Sequence, residues 1–187
     1  VNPNQLVDEA KNKLSQAKNH LEEELKKLRT GRAHPSMLDG LNVKAYGSTM
    51  PLNQLSNITA PEAQLIQITP FDPTNIQAIS EAIRNDQSLG LNPADDGRVV
   101  RVPIPPLTTE RRQQIVRQLN EKVEETHIAS RNIRHDILTL AKNAKSTKQI
   151  SEDDYNRTEK QIDDLMAKTR SDIEQLAKTR EQEIMKV

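Results

Sequence analysis

The residues best suited to chemistry in this chain are cations that share one helical period. His127, Arg131, Arg134, Lys142 and Lys145, with the apolar Leu138 among them, recur at three- and four-residue intervals. At about 100° per residue they fall within roughly 80° of arc, and the row is about 27 Å long. Such a row suits a nucleic-acid backbone. Arg131 and Arg134 can grip phosphates bidentately, while Lys142 and Lys145 act as point charges. The plain alternative is a solvated helix face, because exposed charges individually contribute little. The row Ser130, Ile133, Ile137, Leu140 and Ala144 lies about 115° away on the same helix, so the sequence predicts a core there and cations facing solvent. Asp136 points to another side.

Whole-chain totals hide this row. The 187 residues carry 27 Lys+Arg against 27 Asp+Glu, a formal charge of zero. Divided by segment, residues 111–148 hold nine basic and four acidic groups, a net +5. Residues 31–106 hold five against seven, and 149–187 hold seven against ten. Only Tyr46, Phe71 and Tyr155 are aromatic, too few for a platform that stacks single-stranded bases. Contact through phosphates and shape is the mode that remains.

Enzyme chemistry finds few footholds. Cysteine is absent, which excludes disulfides, thiolate zinc sites and a cysteine nucleophile. No Gly-Lys pair marks a P-loop, and neither Gly-x-Gly-x-x-Gly nor Gly-x-Ser-x-Gly occurs. His20, His34, His127 and His135 lack the i, i+4 pairing of a helical zinc site. The acids Glu152, Asp153 and Asp154 follow Ser151, so they read as a helix start more readily than as a metal site. A non-enzymatic protein without metal or cofactor is expected. The opening segment carries Asp8, Glu9, Lys11 and Lys13, unlike a secretory signal, and no apolar run reaches membrane-spanning length. A cytoplasmic protein is the expectation.

The elements that must position the cations follow from where the helix breakers fall. All five glycines lie between Gly31 and Gly97, and nine of ten prolines between Pro35 and Pro106. Beyond Leu107 there is neither. Two helical flanks around a different middle are predicted. In the first flank, Val7, Ala10, Leu14, Ala17, Leu21 and Leu28 form a narrow stripe broken at Glu24, with Leu25 beside it. In the last, Ile115, Leu119, Val123, Ser130, Ile133 and Ile137 lead to a turn at 146–150. A third helix then buries Tyr155, Ile162, Leu165, Ile173, Leu176 and Ile184. Each stripe is too narrow to stand alone, so an up-down three-helix bundle of discontinuous sequence is expected, rod-like because its second helix is about 57 Å long. The middle alternates like strand at 41–46, 64–69 and 98–104, with Asp72-Pro73 opening a helix that carries Ile76, Ile79 and Ile83.

The fold class is therefore α+β in two domains. Residues 1–30 and 107–187 form the bundle, and 31–106 form an inserted α+β domain. The crossings at 29–33 and 103–107 read either as helix punctuation or as a hinge, with Thr30, Gly31 and Arg32 free to turn and Pro103, Pro105 and Pro106 stiff. Arg29 and Arg32 flank the glycine as further candidate contacts.

Several runs carry a resemblance across almost the whole chain. They are Leu28-Arg-Thr-Gly-Arg-Ala-His-Pro-Ser-Met-Leu-Asp-Gly40, Leu89-Gly-Leu-Asn-Pro93 and the stretch from Asp96 through Pro103-Ile-Pro-Pro106 to Arg112. Arg131-Asn-Ile-Arg-His-Asp136 and Ile150-Ser-Glu-Asp-Asp154 complete them. In these motifs and their order the chain resembles ribosome recycling factors. The resemblance implies an L-shaped monomer, a three-helix bundle with a β/α/β domain on a flexible elbow. It also implies binding to the post-termination ribosome and, with elongation factor G and GTP, its separation into subunits. On that footing Arg131 and Arg134 are central contacts to large-subunit ribosomal RNA, Arg29 and Arg32 lie near the elbow, and the GTPase partner supplies hydrolysis. A helical adaptor or holdase that binds protein along exposed seams is the competing reading.

Overall fold

The computed structural model describes residues 1–186. In chain order it contains α1 (Pro3–Lys26), β1 (Asn42–Ala45), β2 (Ser48–Pro51), α2 (Leu52–Leu55), β3 (Ser56–Glu62) and β4 (Leu65–Pro70). Then come α3 (Ile76–Asn85), β5 (Ala94–Asp95), β6 (Val100–Pro103), α4 (Thr109–Ser146) and α5 (Glu152–Met185). The chain divides into two compact units, Val1–Thr30 with the segment from Thr109 onward, and Gly31–Thr108.

The first unit is a bundle of α1, α4 and α5, each packed on the other two. Asn2 caps α1 by accepting the Asn4 amide at 2.9 Å, and Pro3 occupies the first turn, where its missing N–H costs nothing. Leu6, Ala10, Leu14, Leu21 and Leu25 are buried on one face. Glu24, the break in the apolar stripe, accepts from Lys122 of α4 at 3.0 Å and from Lys27 at 3.1 Å. These two ammonium groups hold its carboxyl down at about 2. On α5, Ile162, Ile173 and Ile184 are fully buried. Their eleven-residue spacing is three turns at 3.67 residues each, close enough to 3.6 to keep a nearly straight helix on one contact line. The buried hydroxyls of Thr126 and Ser130 donate to the carbonyls of Lys122 and Thr126, each at 2.9 Å, so these two core hydroxyls are satisfied within α4 itself.

The α4–α5 turn is built without glycine. Lys148 sits at φ +61°, its amide donating to the Lys145 carbonyl and the Gln149 amide to that of Ala144, a Schellman pattern. Ile150 is buried beside it. Ser151 then opens α5 through a capping box: its hydroxyl accepts the Asp154 amide at 3.0 Å, and Asp154 accepts the Ser151 amide. The acids there are helix-starting groups, and among the described residues no cluster suits a metal ion.

The second unit places α3 over an antiparallel sheet of order β3-β4-β6-β5, beside the β1–β2 hairpin. Its core joins Ile76, Ile79 and Ile83 of α3 to Ile66 and Ile68 of β4 and Val100 and Val102 of β6. The apolar alternation locates β1, β4 and β6. It misses β2, β3 and β5, which are edge or hairpin strands with little to bury. The side chain of Asp72 caps a single 3-10 turn, Pro73–Asn75, that leads into α3. Pro103 belongs to β6, paired with Leu65, and Ile104 is buried with its amide on the Gln64 carbonyl at 2.9 Å. Pro103 is therefore sheet rather than linker, because the strand's own pairing outlasts the first proline. Gly31, at φ +85°, lies five residues beyond the end of α1 and is not its C-cap.

Ile162→Ala should destabilise the protein by about 2–5 kcal/mol, the cost of a fully buried cavity, measured by urea denaturation. The Glu24 pairing also makes a pH prediction. Its folded pKa lies below the ordinary 4.5, so its contribution is complete above that value and fades as pH falls toward 2. The gap in urea midpoint between wild type and Glu24→Gln should be open at neutral pH and close across that acid range.

Candidate nucleic-acid interface

The cationic row on α4 is real, but its setting differs from the sequence expectation. Leu138, in the middle of the row, is buried with Ile137, Ala141 and Ile162. Leu140, assigned to the core row, is 49 % exposed. The buried face of α4 is thus rotated toward the cations, because α1 and α5 together cover a wider arc than one row of large side chains. Ala141 and Ala144 are buried within that arc. The row runs along the edge of the α4–α5 contact instead of standing clear in solvent.

That edge position determines what each cation touches. Arg134 is half-buried, and its Nε donates to Asp163 of α5 at 2.6 Å. The hydrogen bond raises the guanidinium's already high pKa, so it is cationic at every physiological pH. Lys145 places its Nζ 4.4 Å from the centre of the Tyr155 ring of α5, a cation–π contact. Burial, and then a 3.1 Å hydrogen bond to Glu159, push the Tyr155 hydroxyl's pKa upward and keep it protonated. Arg131 is exposed and pairs with Glu124 of its own helix at 3.1 Å. Lys142 is exposed and His127 half-buried. The row therefore offers two kinds of cation, exposed ones at Arg131 and Lys142 and braced ones at Arg134 and Lys145.

The two remaining candidates fall in different units, Arg29 in the bundle and Arg32 in the inserted unit. Arg29 is half-buried with its Nη2 atom enclosed and without an acceptor. Burial, followed by repulsion from Arg111, lowers its pKa from the usual arginine value. Arg32 is exposed. The groups that spacing could not reveal are the Asp163 carboxylate and the Tyr155 ring, which lie on another helix, whereas Glu124 sits two turns before Arg131 on α4 itself. Helical periodicity reports only on residues of the same helix.

Comparison with known proteins is consistent along the whole chain. The family model described as ribosome recycling factor matches residues 21–185. The chain belongs to the ribosome recycling factor family. The member from Chloroflexus aurantiacus is 42% identical over 98% of this chain and 99% of its own length. That from Roseiflexus sp. strain RS-1 is 40% identical over the same shares. A solution structure of a ribosome recycling factor is similar with a TM-score of 0.75 and 34% identity, covering 99% of this chain and 98% of that one. A second similar chain, with a TM-score of 0.63 and 37% identity, comes from models of the T. thermophilus ribosome recycling factor and the E. coli elongation factor G bound to the E. coli post-termination complex. It covers 99% of this chain and 100% of its own. The family is one of translation factors.

The Asp163 carboxylate already occupies Arg134, so a phosphate reaching that guanidinium would have to displace it. Asp163→Asn should therefore raise affinity for a fluorescent RNA hairpin by about threefold, the range of one partly exposed ion pair. Anisotropy titration at fixed salt measures it, and weaker binding would mean that Asp163 instead aims the guanidinium.

Proposed function

We propose that this protein binds the post-termination ribosome and, together with elongation factor G and GTP, separates it into subunits. The single observation that carries the reading is the α4 edge, a run of four arginines and lysines on a chain whose total charge is zero, in a member of the ribosome recycling factor family. The bundle is the RNA-binding part, lying against large-subunit ribosomal RNA at the intersubunit face. Exposed Arg131 and Lys142 meet phosphates first. Arg134 then exchanges Asp163 for a phosphate oxygen, which keeps its guanidinium paired throughout. His127, Arg29 and Arg32 add contacts nearer the crossings. The inserted unit turns about Thr30, Gly31 and Arg32 on one strand of chain and Pro105 and Pro106 on the other. Elongation factor G contributes nucleotide hydrolysis, and the protein acts as a cytoplasmic monomer.

The adaptor reading has little to support it. The large apolar side chains exposed on the described bundle are Val1, Ile128, Leu140 and Met185, separated along the helices. No helix of the described residues is long and apolar enough to cross a membrane.

The deciding experiment is conversion of post-termination polysomes to subunits with elongation factor G and GTP. Activity is expected, and a wild-type protein that leaves polysomes intact would refute the proposal. In co-sedimentation, Arg131→Ala should weaken ribosome binding and reduce the log–log salt slope by about one, as for the loss of one phosphate contact. The helical circular-dichroism signal should not change.

A further inference from the structure

The C-terminal end of α1 is finished by another helix. The last carbonyls of a helix need partners, and a glycine in left-handed conformation just past the end is the usual local solution. After Lys26 this chain continues Lys27-Leu-Arg-Thr30 before its first glycine. Arg180 of α5 takes that role. Its Nε donates to the Leu25 carbonyl at 2.9 Å, and its Nη2 to those of Lys26 at 3.1 Å and Leu28 at 2.8 Å. Nη1 is fixed by Glu183 at 2.7 Å. The end of α5 is finished in the same manner by α4, whose buried Arg112 donates to the carbonyls of Ile184 and Lys186. So α4 holds α5 and α5 holds α1, at the end of the bundle where the chain passes to and from the second unit.

We propose that Arg180 is a positioning residue for subunit splitting, locking the last turn of α1 so that the crossing at Thr30–Gly31 starts from a fixed point. The inference rests on the ribosome-splitting reading above. Its physical basis is slack. A residue that leaves a helix for extended chain lengthens from about 1.5 Å to about 3.3 Å, so a frayed last turn adds roughly 7 Å of loose tether. Force passed along that crossing would unwind α1 before it moved the bundle. Three charged hydrogen bonds from one planar guanidinium oppose this unwinding, whereas a lysine ammonium is a single point of attachment.

The test uses full-length Arg180→Ala and Arg180→Lys. Amide hydrogen exchange at Lys27 and Leu28 should speed up by about tenfold or more in Arg180→Ala, with the amide of Leu14 unchanged. Unaltered exchange would overturn the cap. On ribosomes, Arg180→Ala should bind within about twofold of wild type yet split them at least about fivefold more slowly at saturation, with Arg180→Lys between the two. A Leu14→Ala core variant, matched for lost thermal stability, should split at the wild-type rate. An equal loss in that control would assign the effect to stability and overturn the positioning role. A splitting-competent wild type with an equally fast Arg180→Ala would overturn this inference alone, whereas an inactive wild type would overturn the functional reading beneath it.

Discussion

One packing constraint governs this molecule: α1 carries a single narrow apolar stripe and draws most of its helical stability from packing on α4 and α5. Its partners begin only at Thr109, so the bundle closes across the whole inserted unit. Everything else is arranged around that closure. Small residues such as Ala10, Ala141 and Ala144 let the helices approach, and fully buried isoleucines on α5 fill the seam. Glu24 interrupts the stripe because it reaches Lys122 on the neighbouring helix, and Arg180 returns from α5 to finish α1.

The same closure shapes the electrostatics. Because α1 and α5 cover a broad arc of α4, the cations are drawn to the rim of the contact, where Asp163 and Tyr155 brace two of them. Braced side chains lose less conformational freedom on binding than free ones. Arg131, Arg134 and Lys145 already have partners, and paired cations at a partly exposed site can change partners at small cost. A surface that is neutral overall and cationic along one edge fits recognition of a folded RNA by its phosphates. The near absence of aromatic residues leaves bases without a stacking partner.

Much of this was legible in the residues. The glycine and proline distribution separates helical flanks from the middle, and Ser151 with its acids marks the start of α5. The strands that bury a face, β1, β4 and β6, show themselves by alternation. What stayed hidden has a common cause, since β2 and β3 bury little, while the rotation that exposes Leu140 and buries Leu138 depends on how two other helices cover α4. The Arg180 and Arg112 caps join residues more than 70 positions apart. Nothing in their spacing announces them. Pro103 fell under two readings at once, the strand at 98–104 and the stiff crossing, because a proline that ends a strand and a proline that stiffens a linker look alike in sequence.

Contact between the α4 edge and RNA can be tested directly because the chain lacks cysteine. His135→Cys provides one attachment point, exposed and set between Arg131 and Lys142 in sequence. An iron chelate tethered there generates hydroxyl radicals that cut nearby nucleic-acid backbone. With the tethered protein bound to post-termination ribosomes, localised scission of large-subunit ribosomal RNA is expected. Bound protein that produces no such cuts would contradict that contact.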